Sequence, residues 1–116
     1  MSDNTNHQIT LQQAIDMTTL YRSNRPENFP ICETFHKSAV AALLANTDAA
    51  YLRIYYGMKE TGLVDAILVA ANSNEEDLLP PANESNATLQ TQTDNLLLED
   101  GIRCPQYCPP SSPLNS

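Results

Sequence analysis

The sequence predicts a small α+β protein, in which two N-terminal helices pack on a β-hairpin and an acidic tail that contains Pro and Cys follows. Three observations lead to this prediction. Apolar residues recur at helical spacing in the N-terminal part, β-branched and aromatic runs then flank a turn, and the composition changes near residue 74.

The first helix is predicted from a start signal, a periodic face and a stop signal. Thr10 and Gln13 have the spacing of a capping box, in which each side chain bonds the other residue's backbone N–H. Pro26 ends the helix. The predicted inner face consists of Leu11, Ala14, Ile15, Thr18 and Tyr21. A second helix, rich in Ala and Leu, is predicted over residues 37–46, capped by Thr34 or a later residue.

The hairpin is predicted from the runs Tyr51–Tyr56 and Leu63–Val69, which flank a turn that ends at Gly62. Pairing Met58 with Leu63 places Leu52, Ile54, Tyr56, Ile67 and Val69 on one face, and Tyr51, Arg53, Tyr55, Ala66 and Leu68 on the other. A hairpin is marginal alone. Residues 96–98, all Leu, are therefore a candidate third strand, with a helical turn ended by Gly101 as the alternative.

The composition divides the chain into three parts. Residues 1–74 hold five basic and seven acidic residues, whereas residues 75–116 hold one basic residue, seven acidic residues and six of the eight prolines. This shift predicts a folded domain over 1–74, a polar acidic linker over 75–95 and a Leu-rich, then Pro- and Cys-containing tail over 96–116.

Charge and composition exclude several classes of function. The 116 residues carry a net charge of −8, which disfavours nucleic acid and anionic membranes as partners. Three glycines leave no room for a dinucleotide or phosphate-binding loop, so no cofactor is predicted. The first eight residues contain no apolar segment of a signal peptide, which predicts a cytoplasmic location. His7 and His36 are the two histidines, and neither is placed beside a nucleophile, so no enzyme is predicted.

The cysteines give the one cluster of chemically distinctive residues. Cys32 and His36 are four residues apart, as are Cys104 and Cys108, and together they have the ligand types of a structural zinc site. The favoured interpretation is three free thiols. A Cys104–Cys108 disulfide and the zinc site remain as alternatives.

Aromatic residues suggest a partner-binding surface. Tyr51, Arg53 and Tyr55 share one predicted strand face, and Tyr and Arg are enriched where proteins bind each other. Tyr107 is a candidate anchor in the Pro-rich tail, which can instead cover the protein's own surface.

The segments Glu33–Phe35, Arg53–Gly57 and Gly101–Pro110, with its G-x-R-C-P-x-x-C-P-P pattern, resemble a group of small uncharacterised bacterial proteins of the kind abundant in Bacteroidota. The resemblance implies a cytoplasmic bacterial context and an α+β unit followed by a tail, and it brings no activity, cofactor or site residue with it.

The predicted function is a small non-enzymatic cytoplasmic module that binds an unknown protein partner or a second copy of itself. The alternatives are a metal- or thiol-dependent protein that uses the Cys/His set, and an acidic inhibitor or immunity-type protein, which size and charge suggest.

Overall fold

A computed structural model of the chain describes residues 6–80 and 95–115. The fold is mixed α+β, as predicted, with a two-stranded and a three-stranded antiparallel sheet. Its elements are α1 (Leu11–Asn24), β1 (Cys32–Thr34), α2 (Lys37–Leu44), β2 (Tyr51–Met58), β3 (Val64–Ala71), β4 (Leu97–Leu98) and β5 (Ile102–Cys104). Within the described ranges, neither helix has the length and apolar character needed to cross a membrane.

Helix α1 begins at the predicted capping box. Thr10 Oγ1 accepts from the Gln13 N–H at 3.0 Å, and the Thr10 N–H donates to Gln13 Oε1 at 2.8 Å. The helix ends at Asn24, two residues before Pro26. None of its residues is buried, and Leu11 is exposed. The packing of α1 on the hairpin therefore stays a prediction.

Helix α2 provides the cover for the three-stranded sheet. His36 caps it, because the ring nitrogen Nδ1 accepts from the Ser38 N–H at 3.1 Å, so the cap is not Thr34, which ends β1. The helix packs against β3 and β4. Leu43, the one buried residue of α2, forms the core with Leu68 and Ala70 of β3.

The hairpin of β2 and β3 is confirmed, but its predicted register is wrong by one residue: Met58 lies opposite Val64, not Leu63. The cause is a bulge at Gly62, whose φ is +94°. The Lys59 carbonyl accepts from the Gly62 N–H at 2.8 Å, while the Lys59 N–H donates to the Leu63 carbonyl at 2.9 Å. Lys59 thus faces two residues, the pattern of a G1 bulge after a three-residue loop.

The one-residue shift moves every β3 side chain to the other predicted face. Leu52, Ile54, Tyr56 and Met58 share a face with Val64, Ala66, Leu68 and Ala70, whereas Ile67 and Val69 lie on the face of Tyr51, Arg53 and Tyr55. The α2 side of the sheet is therefore the first of these faces, because Leu68 and Ala70 contact α2 there.

The C-terminal segment supplies strands to both sheets. Leu97 and Leu98 form β4 beside β3, which confirms the strand alternative for these leucines. β5 pairs with β1, so that Cys104 lies opposite Cys32 and Arg103 opposite Glu33.

The predicted linker lies mostly outside the described residues, since only 75–80 and residue 95 are described. The described start of this segment contacts β3: Asp77 bridges to Ala71, and the Leu78 N–H donates to the Ala70 carbonyl at 2.9 Å. The division into domain, linker and tail stays a prediction from composition.

Candidate functional site

Strand β2 lies at the edge of the three-stranded sheet, whose order is β2-β3-β4. The described part of the chain places no strand on its outer side. The Lys59 N–H bonds to the carbonyl of Leu63, the residue before β3. Because inward and outward bonds alternate along an antiparallel ladder, every second N–H from Met58 back to Leu52 points away from β3. As far as residues 6–80 and 95–115 show, β2 therefore presents outward backbone donors and acceptors that no strand pairs with.

The side chains of the same four residues are exposed, and we call Leu52, Ile54, Tyr56 and Met58 together the β2 surface. Tyr56 is the most exposed of them at 76%. Helix α2 packs over β3 and β4, whereas the side chains of the β2 surface are exposed. An eight-residue edge with this much apolar area is a feature that soluble proteins normally avoid unless the edge binds something.

A cavity of about 520 Å³ adjoins the β2 surface. The sheet supplies one wall, and the segment around β1 supplies the other. Its lining is mostly apolar: Tyr21, Phe29, Pro30, Ile31, Cys32, Glu33, Phe35, Ile54, Tyr56, Val64, Ala66 and Leu68. Ile54 and Tyr56 belong both to the cavity wall and to the β2 surface, so the two features form one continuous apolar region.

The opposite face carries three of the predicted binding residues, Tyr51, Arg53 and Tyr55, and the structure brings them together. Arg53 is already occupied. Its Nη1 lies 2.6 Å from Asp77 Oδ1 and donates to the Glu75 carbonyl at 3.1 Å. The guanidinium is thus already paired within the chain, because the segment after β3 returns to it.

Tyr55 contacts the other oxygen of the same carboxylate, since its hydroxyl donates to Asp77 Oδ2 at 2.7 Å. This hydrogen bond and the Arg53 guanidinium hold the pKa of Asp77 below its usual value. The face is thus a structural contact between β2 and residues 75–77, with exposed rings of Tyr51 and Tyr55 at its margin.

Tyr107, the fourth predicted binding residue, follows β5 in the other sheet and is 69% exposed. Its N–H donates to the Arg103 carbonyl at 2.9 Å, which closes the turn after the strand. Tyr107 is thus available to solvent but is placed by a different sheet from β2.

Of the alternatives for the cysteines, the structure contains the Cys104–Cys108 disulfide. Cys104 and Cys108 are joined, with their Cα atoms 4.4 Å apart, and Cys32 is a free thiol. The favoured expectation of three free thiols is therefore wrong for two of them. The zinc set does not assemble, because two of its thiols are bonded to each other and the His36 ring caps α2. Residues 6–80 and 95–115 hold no group of three or more His, Cys, Asp or Glu side chains arranged for a metal.

The sequence interpretation missed a buried ionic cluster that joins three strands. Arg103 of β5 lies 2.6 Å from Asp65 Oδ1 of β3 and 3.7 Å from Glu33 Oε2 of β1. The Glu33 and Asp65 side chains are 5% and 6% exposed. The one available signal was Asp65, a single acid within an apolar strand.

Lys59 and Glu99 complete this cluster at its outer end. The Lys59 ammonium lies 3.0 Å from Asp65 Oδ2 and 2.8 Å from Glu99 Oε2, and these carboxylates raise the pKa of Lys59. Two adjacent carboxyl groups can exchange a proton with a substrate in an enzyme. Here Glu33 Oε2 and Asp65 Oδ2 are sealed from solvent, so the geometry favours a structural role.

Comparison with family models, with curated proteins and with solved structures finds no match for this chain. The resemblance to the Bacteroidota group stays a prediction.

Proposed function

We propose that this chain is a small, non-enzymatic, cytoplasmic protein-binding module that receives an extended segment of its partner along β2. The observation that carries the proposal is the edge position of β2 combined with the exposure of six large apolar or aromatic side chains among its eight residues: Tyr51, Leu52, Ile54, Tyr55, Tyr56 and Met58.

Strand addition uses both features of this edge. The outward backbone groups of β2 supply hydrogen bonds that do not depend on the partner's sequence. Specificity would come from side chains, since every second residue of an added strand lies on the face of the apolar cavity. The partner segment is therefore expected to alternate apolar residues with others.

The charge of the module favours a cationic partner. The chain carries −8, and Glu75, whose Oε1 lies 3.5 Å from Arg53 Nη2, has a side chain that is 73% exposed. Lys or Arg at the non-apolar positions of the segment would face this side of the sheet. Such complementarity raises the association rate more than the affinity, and salt weakens it.

The test is selection from a displayed library of random linear peptides, followed by binding measurements with soluble copies of the winners. We expect winners with apolar residues at every second position, and backbone amide shifts that concentrate at Leu52, Ile54, Tyr56 and Met58. Replacing Tyr56→Lys should reduce the affinity at least tenfold, because a lysine on an edge strand opposes strand addition.

The matched control is Leu20→Lys, which makes the same kind of change at an α1 residue of similar exposure, 67%. It should leave binding unchanged. Winners without alternation, or winners whose binding falls with Leu20→Lys and not with Tyr56→Lys, would contradict strand addition at β2.

A further inference from the structure

Two buried carboxyl oxygens, Glu33 Oε2 and Asp65 Oδ2, have no hydrogen-bond partner in the described part of the chain. The Lys59 ammonium lies 3.0 Å from Asp65 Oδ2, as an ion pair without hydrogen-bond geometry. A buried acceptor without a donor is unfavourable, and in most native structures such groups find a partner. The two orphaned oxygens belong to neighbouring groups, since the same Arg103 nitrogen faces both carboxyls.

One proton placed between the two oxygens satisfies both. We propose that Glu33 and Asp65 share a single proton, held by Glu33 Oε2 and donated to Asp65 Oδ2, and that this acid pair joins β1 to β3 and loses strength as the pH rises. The proposal concerns the fold around the cavity and does not depend on the proposed function.

The surroundings determine which carboxyl keeps the proton. Asp65 faces two cations, Arg103 at 2.6 Å and Lys59 at 3.0 Å, which favour its anionic form. Glu33 has weaker support: its Oε1 accepts from the Ala66 N–H at 3.1 Å, and Arg103 is 3.7 Å from its Oε2. Glu33 is therefore the neutral partner.

The charge balance of the cluster agrees with this assignment. Arg103 and Lys59 supply two positive charges, whereas Glu33, Asp65 and Glu99 supply three carboxyl groups. With one shared proton the cluster is neutral, and without it one negative charge remains uncompensated in a buried site, which is costly. The remaining titratable groups that line this cavity are the phenols of Tyr21 and Tyr56 and the free thiol of Cys32.

The pKa shifts have the directions that a shared proton requires. Burial is the main cause that raises the pKa of Glu33 to about 7, and the neighbouring Asp65 carboxyl acts in the same direction. The Glu33 carboxyl is the main cause that lowers the pKa of Asp65 to about 2, and Lys59 and Arg103 act in the same direction.

These shifts fix the sign of the pH dependence. In the unfolded chain Glu33 loses its proton near its ordinary pKa of 4.5, whereas the folded protein keeps the proton until about pH 7. The folded state binds more protons between these values, so the stabilisation is complete below pH 4.5 and is lost as the pH rises through 7.

The pair also bears on the attachment of the C-terminal strand. Arg103 of β5 donates to the Asn28 carbonyl at 2.7 Å, to the Val64 carbonyl and to Asp65. Ionisation of Glu33 changes the charge beside the anchoring residue of β5, and it does so in the wall of the cavity that Glu33 lines.

The test is Glu33→Gln, measured by urea unfolding of the full chain between pH 5 and 8. The Gln amide keeps the acceptor for Ala66 and supplies a permanent donor to Asp65, so it imitates the protonated acid at every pH. We expect the wild-type midpoint to fall over this range relative to the variant, and the variant to be the more stable protein at pH 8.

The matched control is Glu60→Gln, which makes the same change at an exposed loop carboxylate that is not part of the cluster. The urea midpoint of this control should fall between pH 5 and 8 as the wild-type midpoint does, when each is compared with the midpoint of Glu33→Gln. Contributions of His7 and His36 cancel in these differences, because all three proteins contain both. A wild type and a Glu33→Gln variant with parallel pH profiles would overturn the proposal.

A direct measurement covers the case in which the variant does not fold. The ¹³C shift of the Glu33 carboxyl in the wild-type protein should titrate with a midpoint near pH 7. A midpoint near the ordinary value of 4.5 would show two independent carboxylates and would overturn the proposal without any substitution.

Discussion

Gly101, which precedes β5, passes close to the ring of Phe35. A Cβ atom at residue 101 would lie 2.7 Å from Cε1 and 2.9 Å from Cζ of that ring. Phe35 is half-buried and packs against the core, so the ring must move as a rigid body or the β5 backbone must shift. We expect Gly101→Ala to lower the free energy of unfolding by about 1–3 kcal/mol, the usual cost of overpacking, measured by urea denaturation.

Gly57 provides the control for this prediction. A Cβ atom there would lie 2.9 Å from Cδ1 of Ile67, which is the end of a flexible side chain and can rotate away. Alanine also loses less conformational entropy than glycine in a strand. Gly57→Ala should therefore cost clearly less than Gly101→Ala, and equal losses would show that the contact with the Phe35 ring is not the cause.

Whether the role of a residue could be predicted depended on how far its contact partners lie from it in the sequence. Thr10 and Gln13 cap each other three residues apart, so their role was visible in the sequence. Glu33, Asp65 and Arg103 are brought together by strands from distant parts of the chain. No local pattern could show that these charges meet.

At the scale of elements, β1 and β5 place three cysteines close together. Cys32 lies directly opposite Cys104, which is bonded to Cys108. Opposite residues of an antiparallel pair have Cα atoms within the range that a disulfide bridges. In the variant Cys108→Ser, Cys104 has lost its disulfide partner. We therefore expect Cys104 to form a disulfide with Cys32 after mild air oxidation.

Alkylation without reduction, followed by peptide mass spectrometry, detects this bond. The control, Cys32→Ser, should keep the Cys104–Cys108 disulfide of the wild type. If Cys32 and Cys104 are both alkylated in the oxidised Cys108→Ser protein, the two side chains do not approach each other as the strand register indicates.

The hairpin shows why an element can be predicted while its faces are not. The β-branched and aromatic runs identified β2 and β3, and Gly62 identified the turn. The positive φ of Gly62 also allows a bulge, and that one extra residue shifts the register. The number of residues between the two runs does not distinguish a turn with this bulge from a turn without it. The face that carries Ile67 and Val69 was therefore predicted wrongly.

At the scale of the whole molecule, the described C-terminal residues supply strands that pair with strands of the N-terminal part. β4 extends the sheet beside β3, and β5 pairs with β1. The three leucines at residues 96–98 indicated the first of these strands, whereas nothing in the composition around Ile102–Cys104 indicated that it pairs with β1.

This arrangement predicts the outcome of truncation. A chain that ends at residue 74 lacks β4, β5 and Asp77. It also removes Arg103 from Asp65, a residue that is 5% exposed, so that Lys59 is the one described cation left beside the Glu33 and Asp65 carboxyl groups. We expect it to show no cooperative thermal transition by near-ultraviolet circular dichroism. A chain that ends at residue 110 keeps both strands and the disulfide, and should melt cooperatively. If the 74-residue chain melts as cooperatively as the full chain, the composition boundary is a true domain boundary and the cluster around Arg103 is dispensable.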